Sequence, residues 1–247
     1  MPDKVALVTG GAVRLGKAIS LHLSKAGYQI ALHYNSSEDE AFETKREIEQ
    51  QSMCRTYRTD LSSVEQMKGL FPEVLKDFGR VDLLVNSASM YISSTIAETD
   101  IHSYQNVMDV NLRAPFFLTQ QYTKHCSSGQ IINIIDNKIS YNQYVYAAYL
   151  LSKKSLAELT KMAALEFAPS FRVNAVSPGV VLPAASRKKD YLAYRVRGIP
   201  LSEMGAPVDI CSAIEFILSN RFLTGQVITI DGGEGINYTG RNAVEFS

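Results

Sequence analysis

The chain has 247 residues, 46% of them hydrophobic and 20% charged, which is enough for one sizeable core and does not require a second domain. Lys+Arg and Asp+Glu both number 25, so no basic surplus points to nucleic acid or an anionic membrane, and a small-molecule partner is expected. The three cysteines, Cys54, Cys126 and Cys211, have no metal-like or CxxC spacing; with no apolar run near the ~18 residues of a membrane span and a first strand that begins almost at once, the expectation is a cytoplasmic protein with reduced thiols and no metal.

In chain order, Lys4 to Thr9 is a short β-rich run, followed by the turn Gly10-Gly11-Ala12-Val13-Arg14-Leu15-Gly16 and a helical pattern through Ala26-Gly27. A second strand runs from Tyr28 to Tyr34, so the chain opens as a βαβ unit. Further units are predicted: a polar helix from about Ser37 to Gln51, a strand near Cys54 to Thr59, a helix from about Ser62 to Phe78, and a strand from Val81 to Asn86. A long helical region spans about Ile101 to His125, then a strand Gln130 to Ile135, a helix from about Ala147, and strands at Phe171 to Ser177 and Gln226 to Ile230. Alternating strands and helices imply a doubly wound, Rossmann-type α/β fold with about seven parallel strands and helices on both faces. Residues 1–247 read as a single dinucleotide-binding and catalytic domain. The stretch from Ser177 to about Pro207 contains four prolines and the basic run Arg187-Lys188-Lys189; within it residues 180–206 read as a substrate-loop insertion, and 232–247 read as a C-terminal tail.

A glycine-rich turn between a first strand and a first helix lets the backbone approach a pyrophosphate, whose charge is met by the unpaired N–H groups of the helix N-terminus. At the end of the second strand a carboxylate would grip both ribose hydroxyls and repel a 2′-phosphate. This chain instead offers His33, Tyr34, Asn35, Ser36 and Ser37 there, and Arg14 in the turn supplies a cation. NADP(H) is therefore predicted over NAD(H), with Arg14 gripping the 2′-phosphate.

A second cluster lies between Ile131 and Lys153. Asp136 follows an apolar strand at its carboxyl end, where ligands bind in an open α/β sheet. Tyr149 and Lys153, four residues apart, share one helical face. A carboxylate, a phenol and an ammonium are thus predicted to converge on a ligand. The phenol would act as a proton donor, its ordinary pKa near ~10 lowered by the adjacent ammonium.

Thr9-Gly10-x-x-x-Arg14-x-Gly16, Asp60, Asn86-Ser87-Ala88-Ser89, Asn111, Tyr149-x-x-x-Lys153 and Ser177-Pro178-Gly179, in that order, resemble the short-chain dehydrogenase/reductase family over nearly the whole chain. Two departures, Arg14 for the middle glycine and Asp136 for the usual serine thirteen residues before the tyrosine, resemble its pteridine reductase and dihydromonapterin (dihydrofolate) reductase branch, as does Tyr91 after the Asn-Ala-Ser-like segment. His33-Tyr34-x-x-Ser37 resembles that branch's phosphate clamp, with Ser36 where an arginine often stands.

The resemblance implies catalysis by Asp136, Tyr149, Lys153 and Asn111, the last holding a water that links the lysine to solvent. It implies cofactor contacts from Gly10, Arg14, Leu15 and Gly16, from residues 33–37, and from Asp60, Leu61, Asn86, Ser87, Ala88 and Ser89. Tyr149, Lys153, Pro178, Gly179 and Val180 would complete that set. Substrate would meet Ser89, Tyr91, Asp136, Tyr149 and Gly179. A serine at 136 donates to a carbonyl oxygen, which an ionised aspartate cannot do, whereas a carboxylate can exchange a proton with a ring nitrogen. NADPH-dependent reduction of a dihydropterin or dihydrofolate is thus expected. A carbonyl reductase of the 3-oxoacyl or sugar type and a dinucleotide-binding sensor are the alternatives. A homotetramer is expected, with Arg241 of the tail near a neighbouring site.

Overall fold

The computed structural model describes residues 4–182 and 189–237. Seven strands, β1 (Lys4–Thr9), β2 (Tyr28–Tyr34), β3 (Cys54–Arg58), β4 (Leu83–Asn86), β5 (Gly129–Ile134), β6 (Phe171–Pro178) and β7 (Val227–Ile230), form one sheet in the order β3-β2-β1-β4-β5-β6-β7. Every pairing is parallel, as the alternating pattern predicts.

Parallel strands buried on both faces are apolar almost throughout. In β1 the side chains alternate: Ala6 and Val8 pack on one face with Ile19 and Leu23 of α1 (Arg14–Lys25), and Leu7 on the other with Leu70 and Phe71 of α3 (Val64–Phe78). The first face also takes α2 (Glu38–Ile48) and α8 (Pro207–Ser219), and the second α5 (Ala114–His125) and α6 (Ala147–Phe167). The predicted helix at 101–125 is α4 (Ile101–Met108) joined to α5 through a π-helical turn at Asp109–Arg113. The proline-rich insertion contains a helix that its irregular sequence did not disclose, α7 (Lys189–Val196). Residues 183–188, with Arg187 and Lys188, and residues 238–247, with Arg241, lie outside the described residues.

The strand order reverses between β1 and β4, so the chain leaves these neighbours in opposite directions and a crevice opens at their carboxyl ends. Among the described residues, no helix is long and apolar enough to cross a membrane, and no group of three or more His, Cys, Asp or Glu side chains is arranged to hold a metal ion.

Candidate active site

A cleft of about 940 Å³ occupies that crevice, near the upper end of the roughly 300–1,000 Å³ of small-molecule sites. The glycine turn forms its floor. Gly10 has a φ of +63°, in the left-handed region that favours glycine, and a Cβ on Gly16 would lie 2.0 Å from the Gly10 carbonyl oxygen. The turn therefore closes only with these glycines. Above it α1 begins without a side-chain cap and without an acidic residue in its first turn, leaving N–H donors and the positive dipole end facing an anion. The residues present fit a dinucleotide pyrophosphate.

The turn is held from below. The Gly10 N–H donates to Nδ1 of His33 (3.0 Å), and Nε2 of the same ring lies 2.9 Å from the Thr59 carbonyl. Such bonding fixes the tautomer with hydrogen on Nε2. His33 is 2% exposed, and burial lowers its pKa to about 4. His33 lines the cleft with both ring nitrogens engaged, so its side chain shapes the turn from beneath. Thr9 Oγ1 accepts from the N–H groups of Ser87 (3.0 Å) and Ala88 (3.1 Å), joining the turn to the segment after β4.

Arg14 takes a φ of +52°, uncommon for a residue with a side chain. One guanidinium nitrogen donates to the Leu182 carbonyl at 2.5 Å, so that arm reaches the segment after β6, and Arg14 lines the cleft. Leu15, Tyr34, Asn35, Ser36, Ser37, Asp60, Leu61, Ser87, Ala88, Ser89, Pro178, Gly179 and Val180 all line the cleft. Asn86 does not: it is buried beneath the floor, where its amide donates to Asn133 Oδ1 (2.8 Å) and Asn133 in turn donates to Thr160 Oγ1 (2.9 Å). It supports the cleft from inside the sheet and does not line it.

Asp136, Tyr149 and Lys153 meet as the spacing predicts. The Tyr149 hydroxyl donates to Asp136 Oδ2 at 2.6 Å, and Lys153 Nζ donates to the Ile134 carbonyl at 2.9 Å and lies 5.8 Å from the Tyr149 ring centre. Burial lowers the Lys153 ammonium to about 8, partly offset by Asp136. The phenol goes the other way from expectation. Burial, the Asp136 charge and the hydrogen bond to it push Tyr149 well above its ordinary value, because a carboxylate acceptor favours the protonated phenol. Tyr149 thus keeps its proton and directs it at Asp136. Asp136 also accepts from the Lys138 N–H through Oδ1 (2.9 Å), which caps the short turn Asn137–Ser140.

Asn111 lies outside the cleft lining. Its Oδ1 accepts from the Met90 N–H (2.7 Å), and Nδ2 donates to the Met90 carbonyl (2.9 Å) and Ser152 Oγ (3.0 Å). One amide hydrogen thus goes to the segment that carries Ser89 and Tyr91, and the other ties that segment to α6 through Ser152.

Tyr91 is half exposed in the cleft wall. Its ring is stacked on Tyr146 at 4.4 Å between centres and meets Tyr149 edge-on at 4.6 Å. Part of the flat surface expected to receive a substrate is therefore already covered by a neighbouring ring. Sequence reasoning also missed Lys138, Tyr191 and Arg195, which complete the wall beyond Asp136. Tyr191 and Arg195 were hidden by their distance along the chain from the motifs, and Lys138, two residues past Asp136, because spacing alone does not show that its side chain turns into the wall.

A family model described as enoyl-(acyl carrier protein) reductase matches residues 11–234. A 3-oxoacyl-[acyl-carrier-protein] reductase FabG of Staphylococcus epidermidis is 30% identical over 240 residues, 94% of this chain and 98% of that protein. Among solved structures, FolM alternative dihydrofolate reductase 1 of Brucella suis in complex with NADP superposes with a TM-score of 0.90 at 29% identity, covering 98% of each chain. The Brucella canis FolM complexed with NADP gives 0.91 at 28% identity, covering 100% of this chain and 98% of that one.

Proposed function

The chain belongs to the short-chain dehydrogenase/reductase family, and within it we propose that it is an NADPH-dependent reductase of pteridines, acting on a dihydropterin or dihydrofolate. One observation carries the reading: the group bonded to the Tyr149 hydroxyl is a carboxylate, Asp136, at 2.6 Å. A carboxylate repels a developing alkoxide, whereas it can hold or return the proton of a ring nitrogen. The likeness to two FolM structures with NADP supports both the substrate class and the cofactor. The cleft floor, with its glycine turn and uncapped α1, receives the pyrophosphate.

The bound nicotinamide supplies hydride. Tyr149, held protonated, would give its proton to the ring nitrogen, solvent in the cleft would return one to it by way of Asp136, and the buried Lys153 ammonium would offset the negative charge in between. The relatives of the 3-oxoacyl type favour a second reading, reduction of a carbonyl. NADPH oxidation with dihydrobiopterin, dihydromonapterin and dihydrofolate, beside an acetoacetyl thioester, separates the two. Turnover of the thioester alone overturns the pteridine reading, and a lower KM for NADH than for NADPH overturns the cofactor. We further propose a cytoplasmic homotetramer, in keeping with exposed apolar side chains on α5 and α6, Phe116, Phe117, Met162 and Leu165 among them.

A further inference from the structure

Beyond the trio, the cleft wall continues with two cations from distant parts of the chain, Lys138 and Arg195. Lys138 is 9% exposed. Its ammonium donates to the Tyr91 hydroxyl at 2.7 Å and sits 5.0 and 4.9 Å from the ring centres of Tyr91 and Tyr146. It forms no ion pair with a carboxylate among the described residues. Asp136, the nearest candidate by sequence, spends Oδ2 on Tyr149 and Oδ1 on a backbone N–H.

Arg195 is also buried, and it is paired with the buried Glu234. Asn137 donates a hydrogen bond to the other oxygen of that carboxylate (2.8 Å). The pair fastens α7 to the turn after β7, so Glu234 is committed to Arg195 and Asn137, acts on Lys138 only from a distance and forms no ion pair with it among the described residues. A buried cation without a charged partner is costly, and burial accordingly lowers the Lys138 pKa, with Arg195 adding to the effect against the pull of Asp136. The two aromatic faces offset part of that cost. An anion in the cleft would offset the rest.

We propose that Lys138, backed by Arg195, is a substrate subsite for an anionic group, so that the favoured substrate carries a carboxylate or phosphate on the part that extends past Asp136 and Tyr149. The reading of the site as a pteridine reductase enters only in naming the ring that carries the group. A folate-type carboxylate tail and a phosphorylated side chain share this chemistry.

The test has two arms. In the first, calorimetric titration of the NADP⁺-loaded protein compares p-aminobenzoylglutamate and phenyl phosphate with the neutral diamide of the former. At least one anion is expected to bind wild type about tenfold more tightly than the diamide. Lys138→Met should abolish that preference and Lys138→Arg should retain most of it, with thermal melts verifying that each variant is folded. Equal binding of anions and diamide to wild type, or a preference that survives in folded Lys138→Met, overturns the subsite. In the second arm, the ratio of kcat/KM for dihydrofolate to that for dihydrobiopterin is expected to fall about tenfold in Lys138→Met, through KM rather than kcat. Equal losses for both substrates would overturn the proposal by assigning Lys138 to general support of the wall. Absence of turnover with either pterin, alongside anion preference in the titration, would sink the pteridine reading and uphold the subsite.

Discussion

His33 links acid stability to the cofactor floor, and the size of the effect follows from its burial. The imidazole has an ordinary pKa of 6.5 and a folded-state value of about 4. Because the folded value is the lower one, the unfolded chain binds more protons between these limits. Stability from this residue is therefore full above about 6.5 and drains as the pH falls toward about 4. The gap of about 2.5 pH units corresponds to about 3 kcal/mol in total, of which about 2 kcal/mol is lost between pH 7.5 and pH 5.0. Urea unfolding of wild type and His33→Gln at both pH values isolates this share, since other carboxylates and histidines titrate in both proteins. Wild type should lose about 2 kcal/mol more than the variant over that interval. Parallel losses in the two proteins would refute the neutral, doubly bonded imidazole. The same protonation would turn the ring against the Gly10 N–H, so affinity for NADP⁺ should weaken over the same range in wild type.

Asp136→Ser should lower pterin turnover by roughly 10²-fold or more while NADPH still binds, since serine keeps the capping of the 137–140 turn and loses the carboxylate. Persistent pterin reduction would show that the aspartate has been overread. Gly16→Ala places a methyl 2.0 Å from the Gly10 carbonyl oxygen, so the rise in Tm that NADP⁺ gives wild type should vanish in the variant, and a retained rise would contradict the closed turn. Arg14→Gly suits the positive φ and removes the bond to Leu182. If that bond is the main role of the arginine, KM should rise together for NADPH and NADH; a rise for NADPH alone would return Arg14 to the 2′-phosphate.

The sheet was largely legible because buried parallel strands leave an apolar signature, as at Val5 to Val8 and Ile131 to Ile135. The spacing of Tyr149 and Lys153 was legible for a related reason, since a helix converts four residues into one face. What stayed hidden was the direction in which polar side chains turn. Asn86 and Asn111 look like cleft residues by type, yet their partners are backbone groups, another amide and a hydroxyl inside the fold, and His33 lines the cleft with both ring nitrogens spent on backbone groups. The phenol of Tyr149 was expected to be acidified by Lys153, but the competition between burial, a carboxylate and an ammonium depends on distances that spacing alone does not give. α7 escaped notice because prolines surround it, and with it went Arg195 and the wall it forms with Lys138.

The hydroxyl of Thr9 ties the turn after β1 to the segment after β4, and His33 ties that turn to β3, through bonds that reach neither β5 nor α7. The shape of the glycine turn is thus set within the nucleotide-holding half of the crevice, whose links to the other half run beneath the floor through Asn86 and Asn133 and across it through Arg14 and Leu182. Such a division makes the fold tolerant of evolutionary tinkering. A change at position 136, or a new loop between β6 and α8, can redirect the reaction to another compound without re-establishing the cofactor floor. Chimaeras joined after β4 are the practical counterpart, an inherited chassis on which substrate halves from other members can be exchanged.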